Sequence, residues 1–144
     1  MSRRSRFVAL AGTALILLEA CQERTLPMAP SDVSMGAVIY EHANFLGNSA
    51  YITKDVSDLK KFRGPCVETE VGQSGSTTTN FSWNDCVSSV RVAPGWRATI
   101  YRNPGYKGQS LDVVADVPNL QLVMGTCPHD GLNDCISSIR VYRP

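Results

Sequence analysis

Apolar and polar residues alternate with a period of two along most of the chain after residue 36, which is the pattern of half-buried β-strands. The strands are predicted as three equivalent pairs, at 37–41 and 97–102, at 48–53 and 109–113, and at 88–92 and 137–141. Residues 55–62 fit a short helical turn, and no stretch supports a long amphipathic helix. The pattern therefore predicts an all-β chain, with two Greek keys of about four strands each packed face to face.

The two halves of the chain also repeat each other in sequence. Residues 84–92 read Asn-Asp-Cys-Val-Ser-Ser-Val-Arg-Val, and residues 133–141 read Asn-Asp-Cys-Ile-Ser-Ser-Ile-Arg-Val. A second shared motif precedes each copy, Tyr-x4-Phe-x-Gly at residues 40–47 and Tyr-x4-Tyr-x-Gly at residues 101–108. In each motif the glycine suits a backbone conformation that is closed to other residues, and the aromatic pair can close the turn. Each half is thus predicted to hold one aromatic hairpin and one Asn-Asp loop.

The number of residues that separates equivalent positions of the two halves changes once along the repeat. Cys66 and Cys127 are 61 residues apart, whereas Cys86 and Cys135 are 49 residues apart. The first half therefore holds 12 additional residues between its two cysteines. They belong to a segment at 67–83 that is rich in Gly, Ser and Thr, which predicts a mobile, polar surface loop.

Five cysteines are an odd number for an exported protein. If Cys21 is not counted, because it precedes the predicted domain, the remaining four cysteines indicate two disulfides in an oxidising compartment. Three pairings are possible, and the symmetry of the repeat favours Cys66–Cys86 together with Cys127–Cys135. A four-cysteine zinc site is the alternative, although no C-x2-C spacing is present.

The first 35 residues differ in composition from the rest of the chain. Arginines at positions 3, 4 and 6 precede an apolar run at 7–18, which is the layout of a signal peptide and is short for a membrane span. The Leu-Glu-Ala-Cys that follows resembles a bacterial lipobox, with Cys21 as the acylated residue. We therefore predict a signal peptide at 1–20, a lipid-anchored tether at 21–35 and export to the bacterial cell envelope. A plain secretory signal cleaved elsewhere, for instance after Ala29, is the alternative.

Charge and motif content exclude several classes of function. The formal net charge is +1, which gives no basis for predicting a nucleic-acid partner. The sequence contains no Gly-x-Ser-x-Gly motif, phosphate loop or dinucleotide fingerprint, so we predict that the protein is not an enzyme. His42 and His129 have no third ligand at zinc spacing and are expected at the surface.

The aromatic hairpin followed by Asn-Asp-x-x-Ser-Ser resembles the signature of the βγ-crystallin superfamily, in particular its microbial calcium-binding members. The resemblance covers residues 36–144 and implies a βγ-crystallin-like β-sandwich, with a first Greek key at 36–94 and a second at 95–144. It further implies two Ca²⁺ sites, each built from both Asn-Asp loops and from a backbone carbonyl of one hairpin. Transferred by position, the implied ligands are the carbonyls of Glu41 and Arg102 and the side chains of Asn84, Asp85, Ser88, Asn133, Asp134 and Ser137.

The resemblance also implies roles for the two adjacent serines of each loop. Ser88 and Ser137 are expected to reach across to the site of the opposite key, while Ser89 and Ser138 are expected to lock the hairpins. Only one Asp lies in each loop, so we predict weak calcium binding, with a Kd on the order of 10⁻⁵ to 10⁻³ M. Without the family, each Asn-Asp could be an ordinary turn that binds no metal.

Two functions follow from the sequence. The first is a non-catalytic calcium-binding module of an exported lipoprotein, tethered to the membrane through Cys21. The second is an exported inhibitor of the same fold, whose partner is a protease and whose inhibitory segment is the polar stretch at 71–80.

Overall fold

A computed structural model describes residues 33–125, 127 and 131–144. The predicted signal peptide, the lipidation site at Cys21 and most of the predicted tether lie outside these residues, as does His129. The strands are β1 (Ala37–His42), β2 (Leu46–Ile52), β3 (Cys66–Val71), β4 (Thr77–Ser82), β5 (Ser89–Val92), β6 (Arg97–Asn103), β7 (Lys107–Val113) and β8 (Ser138–Tyr142). Short 3-10 helices occupy Ala43–Phe45, Leu59–Lys61 and Leu120–Leu122. Nowhere in the described ranges is there a helix long and apolar enough to cross a membrane.

The strands form three antiparallel sheets. The orders β2-β1-β5 and β7-β6-β8 are equivalent in the two keys, and β3 and β4 form a separate two-stranded sheet. The all-β architecture and all six predicted strands are confirmed, with ends that shift by one or a few residues. The predicted helical turn at 55–62 is present as the 3-10 helix at Leu59–Lys61.

Each key adds a short bridging segment to the sheet of the other key. Val56 of the first key exchanges backbone hydrogen bonds with Ile139 of β8, at N···O distances of 2.9 and 3.0 Å. Val117 of the second key does the same with Val90 of β5, at 2.8 and 3.0 Å. The two keys are therefore interlocked through their backbones and do not merely touch through side chains.

Buried aliphatic side chains from both keys form one core between the sheets. Leu59 and Leu120 occupy equivalent positions and are both fully buried. Removal of such side chains from water is the main stabilising contribution, about 25 cal/mol per Å² of apolar surface. The fully buried members include Ile39, Ile52, Leu59, Val87 and Val90 of the first key and Ile100, Val113, Leu120, Ile136 and Ile139 of the second.

The prediction of a mobile loop at 67–83 is wrong. Most of this segment is a regular β-hairpin, with β3 and β4 paired from Cys66 opposite Ser82 to Val71 opposite Thr77. The sequence interpretation counted threonine as a loop residue, but its β-branched side chain favours strands. The glycines and most of the serines lie in the turn, where Gly75 has a φ of 77°. The additional residues of the first half therefore form an ordered projection.

Both predicted disulfides, Cys66–Cys86 and Cys127–Cys135, are present in the structure, with Cα–Cα distances of 6.0 and 6.2 Å. Cys86 and Cys135 both directly follow the Asp of an Asn-Asp loop. The first disulfide joins its loop to the start of β3. The inserted hairpin is therefore covalently attached to the first Asn-Asp loop.

Candidate metal centre

The first aromatic hairpin is the turn from β1 to β2. The rings of Tyr40 and Phe45 pack edge to face with their centroids 5.6 Å apart. Gly47 follows with a φ of 78°, and a Cβ at this position would lie 2.8 Å from the His42 ring. The conformation predicted for Gly47 is thus confirmed. Tyr101 and Tyr106 form the equivalent pair in the second key, at 5.7 Å.

A buried serine locks each hairpin from the following loop. The Oγ of Ser89 donates to the carbonyl of His42 at 2.7 Å and accepts from the backbone N–H of Phe45 at 3.0 Å. Ser138 makes the same two contacts in the second key, with the carbonyl of Asn103 at 2.7 Å and the N–H of Tyr106 at 3.0 Å. The structural role predicted for Ser89 and Ser138 is confirmed.

The two Asn-Asp loops lie side by side and hydrogen-bond to each other. The backbone N–H of Asp85 donates to the carbonyl of Ile136 at 3.1 Å, and that of Asp134 donates to the carbonyl of Val87 at 3.2 Å. Asp85 and Asp134 have φ values of 48° and 50°, in the left-handed region that is strained for residues other than glycine. Strain of this kind is concentrated at functional sites.

The first cluster of oxygen atoms, here called the Asp134 site, consists of the Ser88 hydroxyl, the Glu41 carbonyl and the Asp134 carboxylate. Ser88 Oγ lies 2.7 Å from the carbonyl oxygen of Glu41 and 3.2 Å from Oδ1 of Asp134. The backbone N–H of Ser88 donates to the Tyr40 carbonyl at 2.9 Å and fixes the serine against β1. Glu41 and Ser88 belong to the first key and Asp134 to the second, so the Asp134 site joins the two keys.

The equivalent Asp85 site pairs the carboxylate of Asp85 with the hydroxyl of Ser137, which hydrogen-bond to each other. The backbone N–H of Ser137 donates to the carbonyl of Tyr101 at 2.9 Å, so the serine lies beside the residue that precedes Arg102. Here the carboxylate comes from the first key and the hydroxyl from the second. The sequence prediction paired each serine with the Asp of the other loop, and the structure places both pairs together.

The two loop asparagines contact their neighbouring carboxylates through nitrogen. Asn84 Nδ2 donates to Asp85 Oδ2 at 2.8 Å, and Asn133 Nδ2 donates to Asp134 Oδ2 at 2.6 Å. In this arrangement each asparagine orients the Asp side chain. The prediction that Asn84 and Asn133 are metal ligands through their amide oxygens stays a prediction.

Both loop carboxylates are shifted toward their protonated form. Burial raises the pKa of Asp85, and the negative charge of Glu68 raises it further, against hydrogen bonds from Asn84 and Ser137. Burial also raises the pKa of Asp134, against the hydrogen bond from Ser88. The ionised carboxylates are thus incompletely compensated by protein groups.

The donor set fits a hard cation. Carboxylate, hydroxyl and carbonyl oxygens are the ligands that Ca²⁺ prefers. The single hydroxyl proton of Ser88 cannot fully satisfy both the Glu41 carbonyl and the Asp134 carboxylate, so acceptors outnumber donors at this point. No group of three His, Cys, Asp or Glu side chains with metal-binding geometry occurs within the described ranges, and the four cysteines there are in disulfides. These observations do not support the zinc alternative.

Sequence reasoning missed the contribution of Glu68, which accepts a hydrogen bond from Asn84 Nδ2 at 2.7 Å. Glu68 lies on β3, inside the segment that was interpreted as a loop. Its side-chain direction depends on the pairing of β3 with β4, which the motif spacing does not encode. The available sign of a strand was the β-branched content of the segment, with valine at 67 and 71 and threonine at 69 and 77–79.

Comparison with known families gives a match for residues 39–114 to the model of the peptidase inhibitor family I36. Development-specific protein S of Myxococcus xanthus is 40% identical over 58 residues, which are 40% of this chain and 28% of that protein. Spherulin-3A of Physarum polycephalum is 30% identical over 105 residues, which are 72% of this chain and 78% of that protein. The chain thus spans less than a third of the Myxococcus protein and most of the Physarum protein.

Solved structures of βγ-crystallin domains resemble this chain in fold. A domain solved in work on the evolution of the eye-lens βγ-crystallin fold is 26% identical, with a TM-score of 0.58 over 81% of this chain and 93% of that domain. A βγ-crystallin domain from Flavobacterium johnsoniae is 25% identical, with a TM-score of 0.50 over 74% of this chain and 93% of that domain. The all-β fold is therefore the βγ-crystallin fold. The family model covers more than half of the sequence, and the chain accordingly belongs to the peptidase inhibitor family I36, built on the βγ-crystallin fold.

Proposed function

We propose that this protein is a non-catalytic calcium-binding module with two Ca²⁺ sites, the Asp134 site and the Asp85 site. The observation that carries the proposal is the meeting of three oxygen types from two keys, at Glu41, Ser88 and Asp134. A bound Ca²⁺ supplies a double positive charge that compensates the carboxylates and links the keys. The assigned ligands are the two carbonyls of Glu41 and Arg102 and the side chains predicted from the sequence.

The energetic consequence of binding is added stability of the fold. A ligand that binds only the folded state stabilises it by RT ln(1 + [L]/Kd), about 1–3 kcal/mol at ten to a hundred times Kd. Since each site takes groups from both keys, calcium opposes their separation. This role suits a module whose function is to persist outside the cell, which agrees with its two disulfides.

Export and lipid anchoring belong to the same proposal. The arginines and apolar run of residues 1–20 would direct secretion, and Cys21 would carry the lipid. Metabolic labelling with a radioactive or clickable fatty acid tests this in a bacterial host. Label on the wild-type chain and none on Cys21→Ser supports a lipoprotein, and equal labelling of both chains contradicts it.

Calorimetric titration of the metal-stripped protein with CaCl₂ tests the calcium sites. We expect two binding events with a Kd on the order of 10⁻⁵ to 10⁻³ M. A melt with excess chelator should then show a lower midpoint than a melt in millimolar calcium. Absence of binding heat together with equal midpoints would overturn the proposal.

Peptidase inhibition is the second candidate, and the family match is the observation that favours it. The projecting hairpin would then supply the contact surface, since Val71, Val67 and Phe81 are large apolar residues left exposed on it. Val71 is 73% exposed, so Val71→Asp changes this surface without disturbing the core. Val114→Asp is a matched control in the second key, where the residue is 60% exposed.

The assay is inhibition of a panel of metallo- and serine peptidases by the purified chain. An inhibitor that uses the hairpin loses potency in Val71→Asp and keeps it in Val114→Asp. A wild-type chain that inhibits no peptidase of the panel argues against this candidate. Calcium binding is measured on the same samples, so the two functions are separated.

A further inference from the structure

Glu68 connects the inserted hairpin to the first Asn-Asp loop. Its Oε1 accepts a hydrogen bond from Asn84 Nδ2 at 2.7 Å, and its Oε2 lies 3.5 Å from Nζ of Lys60. The side chain is only 24% exposed, which limits screening of its charge by water. A carboxylate of the insertion is thus fixed against a loop that lies 16 residues further along the chain.

One amide group holds two carboxylates together at this point. The Nδ2 of Asn84 donates to Glu68 at 2.7 Å and to Asp85 at 2.8 Å. An NH₂ group has two hydrogens, so it can serve both acceptors at once. The negative charge of Glu68 is therefore held close to the Asp85 carboxylate by a neutral bridge that does not cancel it.

The other loop has a different environment. Asn133 orients Asp134 in the same way, at 2.6 Å, but within the described ranges no carboxylate takes the place of Glu68 beside it. The second key lacks the inserted hairpin that carries Glu68. Among the described residues, the two halves are thus symmetric in ligand type and unequal in charge.

We propose that Glu68 raises the calcium affinity of the Asp85 site through its charge, held by Asn84, so that this site fills before the Asp134 site. The inference rests on the proposed calcium function and assigns unequal affinities to its two sites. Calcium affinity increases with the number of negative charges around a site. One additional negative charge several ångströms from a divalent cation is expected to increase the affinity about tenfold after partial screening.

A structural role of Glu68 in the hairpin is the competing explanation, and Glu70 provides the matched control. Glu70 lies two residues further on the same strand and also pairs with Lys60, but it has no hydrogen bond to Asn84. Glu68→Gln and Glu70→Gln each remove one negative charge and one partner of Lys60. Only Glu68→Gln removes the charge from the Asp85 site, and its amide oxygen can still accept from Asn84.

The experiment is calorimetric titration of the full chain with CaCl₂ as wild type, Glu68→Gln and Glu70→Gln. Each is also made with Asp134→Asn, which leaves the Asp85 site to be measured alone. We expect Glu68→Gln to weaken the Asp85 site about tenfold and Glu70→Gln to change it by less than about twofold. The effect of Glu68→Gln should shrink in 1 M KCl because salt screens the charge. Melts with chelator check that all variants fold.

The outcomes separate the inference from the function on which it rests. Absence of calcium binding by the wild type overturns the proposed function and the inference with it. Calcium binding that is equal in wild type and Glu68→Gln overturns the inference alone. Equal weakening by Glu70→Gln also overturns it, since the effect would then come from the hairpin or from general charge. Weakening that is specific to Glu68→Gln and sensitive to salt supports it.

Discussion

The hydroxyl of Ser88 lies 3.2 Å from the carboxylate of Asp134, a residue 46 positions away in the other Greek key. The same hydroxyl donates to the carbonyl of Glu41 at 2.7 Å. A cation bound here would contact both keys at once. If calcium binds as proposed, its binding and the association of the keys are coupled.

Ser88→Ala and Asp134→Asn are predicted to affect one and the same site. Each should abolish or weaken one of two calcium-binding events and leave the other unchanged. The double variant should bind calcium only slightly more weakly than the weaker of the two single variants, since the effects of substitutions within one site are not additive. Calorimetric titration measures both the number of sites and the affinity.

Asp85→Asn combined with Ser88→Ala is the matched comparison, because these residues are close in sequence but are assigned to different sites. This pair should lose both binding events. If Ser88→Ala instead behaves as a partner of Asp85, the assignment of ligands across the two keys is wrong.

Substitutions at the two adjacent serines are predicted to have different effects: loss of the Ser89 hydroxyl lowers the stability of the fold, and loss of the Ser88 hydroxyl weakens calcium binding. Ser89 is fully buried and makes two hydrogen bonds, to His42 and Phe45, whereas the hydroxyl of Ser88 lies in the proposed Asp134 site. Ser89→Ala should lower the free energy of unfolding by about 1–3 kcal/mol, since two backbone groups lose their partner. Its calcium stoichiometry should remain two. Urea unfolding with chelator and calorimetry with calcium make the comparison, and a Ser89→Ala variant of wild-type stability would contradict the assigned role.

The fold was predictable because its signals are local and occur twice. Alternation located β1, β6 and their partners, and the repeat of Gly47 at Gly108 located the hairpins. The inserted hairpin was missed since its turn residues dominated the composition, although its threonines favour strands. A short polar segment is ambiguous until its pairing partner is known.

The candidate site was predictable in residue type but only in part in geometry. The motif predicts which oxygens are present, and the cross-key pairing of Ser88 with Asp134 came from the family resemblance. Neither the motif nor the family resemblance could reveal the role of Glu68, because the position of its side chain depends on the register of β3 against β4. The left-handed backbone of Asp85 was not predicted either, although aspartate is among the non-glycine residues that adopt this region most often.

Acid is predicted to weaken calcium binding, and protonation of Asp85 and Asp134 is predicted to contribute stability to the calcium-free fold. Burial raises the pKa of Asp85 and of Asp134 above the usual value for aspartate. Between the unfolded-state pKa and the raised folded-state pKa, the folded protein binds more protons than the unfolded chain. The contribution of these groups to stability is therefore fully present below the unfolded-state pKa and is lost as pH rises through the folded-state pKa.

Calcium requires the ionised carboxylates, so its affinity should fall as pH decreases through the same window. Calorimetry at pH 7 and pH 5 measures this fall. The pH dependence of the calcium-free melt should flatten in the Asp85→Asn/Asp134→Asn variant relative to wild type. Calcium affinity that is constant as the pH approaches the usual aspartate pKa would contradict the raised pKa of both groups.

Loss of the Cys66–Cys86 disulfide is predicted to damage both stability and the Asp85 site. The bridge spans 20 residues, and constraint of the unfolded chain by a loop of this size is worth about 2–4 kcal/mol. Cys86 directly follows Asp85, so the bridge also fixes the loop to the strand that carries Glu68. Cys66→Ser/Cys86→Ser should thus lower the free energy of unfolding and weaken one calcium site.

Cys127→Ser/Cys135→Ser is the control, because this bridge closes only 8 residues and adjoins Asp134. It should cost less stability and weaken the other site, which Asp134→Asn identifies by calorimetry. The two double variants therefore differ in which event they affect. If both weaken the same event, or neither changes calcium affinity, the disulfides act on the fold alone and do not position the loops for the metal.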